Sequence, residues 1–198
     1  METKRIVFVG VGGQGNLLAS RLLGEACLSA GIPAVVSEIH GMAQRGGIVE
    51  SALVMGASSP IVSKGEADVL IGFEPLETLR ALNKCNKNTV VITNTHPLPP
   101  FTVAIGQGIY PDIDKALDLI RNNVRSLITL DGDKLAARAG NPLSLNMVML
   151  GVLIGGKIIP LDEGILKQTI AKTTKQAFLE PNLKAFDLGV AASRVFSL

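Results

Sequence analysis

Short apolar runs recur along the first two thirds of the chain, at 6–9 (IVFV), 33–37, 48–55, 67–73, 89–93, 101–105 and 126–130. They are rich in β-branched residues and bounded by Gly, Pro, Asn or Ser, which predicts strands. Ala67 to Phe73 is apolar throughout, as expected of a strand covered on both faces. The run 48–55 alternates less cleanly and predicts a strand with one partly polar face. Between these runs lie helical patterns. NLLASRLLGEACLSAG closes near Gly31, a helix starting at Pro75 carries Leu76, Leu79 and Leu82, and 112–124 places Ile113, Leu117 and Ile120 on one side. Strand and helix in alternation predict an α/β fold, a doubly wound and mostly parallel sheet of Rossmann-like type.

After residue 130 the pattern becomes helical. Asp131-Gly132-Asp133 reads as a turn with Asp133 as helix N-cap. Gly140-Asn141-Pro142 makes a helix start, with Asn141 capping and Pro142 at the first helical position. LSLNMVMLGVLIG, which follows, is apolar all round except at Ser144 and Asn146. It belongs in the core or in a subunit interface, and its spaced glycines would let another backbone come close. Two helices, over 162–178 and from 182 onward, complete the chain, separated by Glu180-Pro181.

Composition narrows the function classes. A length of 198 residues without a linker-like stretch predicts one domain spanning 1–198. Net charge is only +2, basic residues are scattered and aromatics make up 4%, which argues against nucleic acid. Charged residues are 18% against 47% hydrophobic, more apolar surface than a small domain readily hides, so an obligate partner is expected. The longest apolar run is too short to cross a bilayer, and no signal-peptide pattern follows Lys4-Arg5, so a cytoplasmic protein is expected. Cys27 and Cys85 are far apart and only His40 and His96 are available, so no iron–sulfur cluster or zinc site is expected on this chain.

Two stretches carry candidate chemistry. The first is Gly10-Val11-Gly12-Gly13-Gln14-Gly15, directly after the first strand and before the first helix, with the Gly-x-Gly-x-x-Gly spacing of a Rossmann turn. Glu38, near the end of the second strand, stands where such folds hold a ribose, which leaves open a free-standing NAD-binding oxidoreductase. The same turn also serves where only backbone packing requires it. The second is SEIHGMAQRGG, in which His40, Gln44 and Arg45 gather beside Gly41, Gly46 and Gly47 at a strand's C-terminal edge, where open α/β sheets bind ligands. A solvated turn is the alternative. His96, before Pro97 and with no acid or nucleophile near it in sequence, is not read as a catalytic base.

GVGGQG with its helix, EIHGMAQRGG, GNPLSLNMVMLG and PNLKAFDLG together resemble the gamma subunit, or gamma domain, of 2-oxoacid:ferredoxin oxidoreductases over almost the whole chain. Within that family the middle loop is most similar to the small (beta) subunits of indolepyruvate enzymes. The resemblance implies a gamma-type domain over 1–198 that supports CoA-dependent oxidative decarboxylation of an arylpyruvate to an acyl-CoA, CO2 and reduced ferredoxin. It implies that thiamine diphosphate, magnesium and iron–sulfur clusters belong to a large partner subunit. No catalytic residue or cofactor is then expected on this chain alone, and a homodimer of the isolated chain is left open. Under this reading Arg45 meets a phosphate or carboxylate of substrate or CoA, with Glu38, His40, Gln44, Gly46 and Gly47 around it. Gly10, Gly12, Gly13, Gln14 and Gly15 either hold an anion or pack against the partner.

Overall fold

Alternate residues of the first strand, β1 (Lys4–Val11), enter two separate cores: Ile6 and Phe8 on one side of the sheet, Val7 and Val9 on the other. That period of two follows from the pleat of a strand buried on both faces. The computed structural model describes residues 2–40, 47–100, 103 and 105–195, with His40 by its backbone alone. Beside β1 it contains β2 (Ala34–His40), β3 (Ile48–Met55), β4 (Val69–Gly72), β5 (Val90–Asn94) and β6 (Ser126–Leu130). They form one sheet in the order β2-β3-β1-β4-β5-β6. β4, β5 and β6 extend β1 in parallel, while β3 runs antiparallel to both β1 and β2.

Helices cover both faces, so the sheet is doubly wound. One face carries α1 (Asn16–Ser29), α5 (Leu145–Gly155), α6 (Glu163–Thr173) and α7 (Gln176–Ser193). α1 turns Ala19, Leu22, Leu23, Ala26 and Cys27 inward, the i, i+3, i+4, i+7 stripe of an amphipathic helix. The other face is closed by α2 (Pro75–Arg80) and α3 (Ile113–Arg121), which contributes Ile120. α4 (Gly132–Ala139) follows β6 and leads through a short 3-10 turn, Pro142–Ser144, into α5. Every residue of α5 from Leu145 to Ile154 is buried, so its all-round apolar pattern is a core pattern. Among the described residues no helix is long and apolar enough to cross a membrane.

Three local expectations are corrected. Among the described residues of 101–105 no strand forms: Val103 is helical and Ile105 lies in a turn closed by Gly106 N donating to Val103 O at 3.0 Å, while Phe101, Thr102 and Ala104 lie outside the described residues. Pro99 and Pro100 offer no N–H for a ladder, which favours the turn. The cap of α4 is Asp131, whose carboxylate accepts from Lys134 N at 3.0 Å, and Asp133 sits in the first turn instead. Pro181 lies inside α7, and the break between α6 and α7 falls at Thr174 and Lys175, both in extended backbone geometry. Pro181 forfeits one intrahelical bond near the start of a helix of 18 residues, which the packing of Ala185, Phe186 and Val190 offsets.

Candidate functional site

The two stretches singled out in the sequence meet at the C-terminal edge of the parallel strands. Opposite Val49 of β3 stand Gly10 of β1 on one side and His40 of β2 on the other, so the glycine turn and both ends of the 41–46 loop share one rim of the sheet. The ladder continues past the strands, with Gly12 N donating to Gly47 O at 2.8 Å. Asn16, the first residue of α1 and itself buried, donates through Nδ2 to Val49 O at 2.9 Å. Thus the turn grips the segment that leaves the loop. Gln44, Arg45 and Gly46 lie outside the described residues, and of His40 only the backbone is placed.

Within the turn the glycines have separate reasons. Gly15 has φ 81, a left-handed geometry, and a Cβ there would stand 2.7 Å from Asn146 Nδ2. Glycine answers both constraints. A Cβ on Gly10 would meet Gln14 Oε1 and Phe73 Cβ, each at 2.9 Å. The Gln14 side chain folds back over that space: its Oε1 accepts from Val11 N at 2.8 Å, and its Nε2 donates to Phe73 O at 3.0 Å. Leu17 N finds an acceptor in Asn16 Oδ1 at 3.0 Å. Side chains of the turn and of α1 therefore take up donors that a nucleotide-binding turn offers to phosphate.

Glu38 does not fit a ribose site. In a dinucleotide fold the acidic strand end lies next to β1, but here β3 intervenes, putting β2 two strand spacings away, about 10 Å. Arg21 of α1 also grips its carboxylate with two bonds, Nε to Oε1 at 2.7 Å and Nη2 to Oε2 at 3.0 Å. The hydrogen bond and charge of Glu38 raise the pKa of that guanidinium.

Farther along the rim the structure adds residues that sequence reading passed over. Phe73 O, just past β4, accepts from both Gln14 and Asn94 Nδ2, each at 3.0 Å. Asn94 ends β5, where it also donates to Asp133 at 2.7 Å and accepts from Gly132 N at 3.0 Å. One buried amide thus ties β4, β5 and α4 together. Glu74, also buried, caps α2 by accepting from Glu77 N at 2.9 Å and accepts from Leu98 N at 3.2 Å and from the Tyr110 hydroxyl. Burial, then the Glu74 carboxylate, raises the Tyr110 pKa, and burial raises that of Glu77. The available signal for these residues was a lone polar side chain directly after an apolar strand, a position where site residues collect. His96 follows β5 with its N–H 3.4 Å from Asn94 Oδ1.

Among the described residues no three His, Cys, Asp or Glu side chains are gathered to hold a metal ion. Asp131 and Asp133 are committed to a helix cap and to Asn94, so a magnesium–diphosphate site does not fit them. Cys27 is part of the core and Cys85 is half-buried, and neither suits a cluster.

A family model for pyruvate ferredoxin/flavodoxin oxidoreductase matches residues 5–192, nearly the whole fold just described. The chain belongs to the pyruvate ferredoxin/flavodoxin oxidoreductase family. Relatives in this oxidoreductase family include indolepyruvate oxidoreductase subunit IorB of Pyrococcus horikoshii, 38% identical over 197 residues that cover 98% of each chain. The protein of the same name in Archaeoglobus fulgidus is 39% identical over 185 residues, 93% of this chain and 92% of that one. Among solved structures, the gamma subunit of a keto/oxoacid ferredoxin oxidoreductase from Geobacter sulfurreducens superposes with a TM-score of 0.72 at 21% identity, covering 98% of this chain and 99% of that one. A 2-oxoglutarate:ferredoxin oxidoreductase from Magnetococcus marinus, with 2-oxoglutarate, coenzyme A and succinyl-CoA bound, gives 0.75 at 20% identity over 100% of this chain and 32% of that chain. These two likenesses establish a shared fold within the oxidoreductase family.

Proposed function

We propose that this chain is the small subunit of an indolepyruvate:ferredoxin oxidoreductase, a hetero-oligomer that converts an arylpyruvate and CoA to an aryl-acetyl-CoA and CO2 and passes the electrons to ferredoxin. The observation that carries the reading is the end-to-end likeness, at 38% identity, to subunits named for indolepyruvate. Thiamine diphosphate, magnesium and iron–sulfur clusters on the large subunit supply the carbanion and electron chemistry in this reading. This chain supplies positioning and charge, with no catalytic residue of its own. Arg45 meets a phosphate of CoA or the substrate carboxylate, His40 and Gln44 add hydrogen bonds, and Gly46 and Gly47 let the backbone come close. The glycine turn packs and positions rather than holding an anion.

Ile39 and Ile48 support a partner at this rim. They flank the loop and are 63% and 50% exposed, apolar surface that a large subunit would cover. A homodimer of the isolated chain would cover the same side chains. The setting is cytoplasmic in this reading, with both cysteines as free thiols. The test is anaerobic affinity purification of the tagged chain from its own cells. We expect a large iron–sulfur subunit in the eluate and CoA-dependent dye reduction with indolepyruvate. The chain alone, inactive with CoA yet binding NAD, would overturn the reading and favour a dehydrogenase.

A further inference from the structure

We infer that the cleft where α1, the start of α5 and the break between α6 and α7 meet is a binding site for a small aromatic carboxylate. Its volume is about 270 Å³, room for a ligand of one or two rings but not for a nucleotide. Leu18 and Leu22 of α1, Leu143 and Phe178 supply its apolar lining. Of these, Leu18 is 48% exposed, Phe178 49% and Leu143 77%. Three apolar side chains left to water around one cavity are surface that the body of a ligand would cover. The Phe178 ring adds a face or an edge for a second ring to pack on.

The polar lining calls for an acceptor that carries negative charge. Asn146 and Asn182 line the cleft and are only 3% and 9% exposed. Each side-chain nitrogen has two N–H groups but one acceptor among the described residues, Gly15 O for Asn146 and Thr174 Oγ1 for Asn182, both at 3.4 Å. Their oxygens already accept, from Met147 N and from the Ser144 hydroxyl, so what remains is donor capacity. Lys175 is the only charged side chain in the lining among the described residues. The helix ends agree with it. α2, α3, α4 and α6 each start from an acidic cap, Glu74, Asp112, Asp131 and Asp162, and carry a further acid in the first turn. α1, α5 and α7, whose first turns give Leu18, Asn146 and Phe178 to the cleft, have neither a side-chain cap nor a first-turn acid. Three uncompensated positive helix ends around one cavity, with a lysine beside them, favour a carboxylate there. The site stands on contacts within this chain and is independent of the reaction proposed above.

The test is calorimetric titration of the full chain with indole-3-acetate, with indole-3-acetamide and cyclohexylacetate as controls for the charge and for the ring. Expected is one saturable site with a Kd at or below about 1 mM, the scale for a ligand of this size, and binding of each control about fivefold weaker. Phe178→Ala should weaken indole-3-acetate about tenfold, and Lys175→Met about fivefold while leaving the acetamide unchanged. No saturation up to about 10 mM overturns the site. Equal affinity for the acetamide overturns the carboxylate, and equal affinity for cyclohexylacetate overturns the aromatic class. Undiminished binding by both variants, each with the parent's urea midpoint, overturns the assignment to this cleft. Displacement of indole-3-acetate by CoA would give the cleft to that cosubstrate and overturn the inference as well.

Discussion

Single residues at the rim are fixed by what they touch. Glu38 sits at the chain distance that a ribose-binding acid occupies, yet its partner is Arg21 and its neighbour strand is β3. Sequence distance was legible, while the insertion of β3 beside β1 was not, because hydrophobic periodicity does not encode which strands are neighbours. The two thiols give a prediction at the same scale. Burial pushes both Cys27 and Cys85 up to about 11, so near neutral pH each is held as the inert thiol. Iodoacetamide should label the native chain slowly at pH 8 and the urea-unfolded chain rapidly, with the native rate rising about tenfold per pH unit toward 11. The folded state holds these protons more tightly than the unfolded chain. The stability this represents is intact below about pH 9 and is lost as pH rises through about 11. Stoichiometric labelling within minutes at pH 8 without unfolding would contradict the burial of these thiols.

Elements meet with backbone against backbone where glycines allow it. A Cβ on Gly151 of α5 would lie 2.1 Å from Phe186 O of α7, and one on Gly189 of α7 would lie 2.1 Å from Val148 O of α5. Neither neighbour is a flexible side-chain tip, so the helices would have to part. Gly151→Ala and Gly189→Ala should each cost about 3 kcal/mol, read from the urea midpoint of the folded chain, at the upper end for overpacking. A cost below about 0.5 kcal/mol for both would show that the crossing is looser than described. This contact was foreseeable from spaced glycines on an apolar helix. The position of Pro181 inside α7 was not, because the packing of Ala185, Phe186 and Val190 that offsets its lost hydrogen bond is tertiary. Asn141 before Pro142 was read as a cap and is one, with Oδ1 accepting from Leu143 N at 3.1 Å. At Asp131-Gly132-Asp133 the expected cap was Asp133, but its contact with Asn94 draws it away and Asp131 caps instead.

The whole molecule is an oxidoreductase-family subunit whose parallel strands end together on one rim. β1, β4, β5 and β6 place their C-terminal ends on one rim, where β2 ends at His40 and β3 begins at Ile48. Four linked motifs pointed to this family from sequence, and the match across residues 5–192 agrees with them. Polar contacts along the rim depend on which strands lie side by side, and they required the fold. Under the proposed function, in which this chain orients CoA and its partner does the chemistry, the chain should be dispensable for cofactor binding by that partner and indispensable for turnover.

Add-back kinetics measure this most directly. The large subunit is prepared without this chain, and ferredoxin reduction is followed anaerobically with indolepyruvate as the subunit described here is titrated in. CoA-dependent activity should rise from baseline and saturate at a fixed subunit ratio, with kcat/KM for indolepyruvate exceeding those for pyruvate and 2-oxoglutarate. Full CoA-dependent turnover by the large subunit alone, unchanged on adding this chain, would contradict the account.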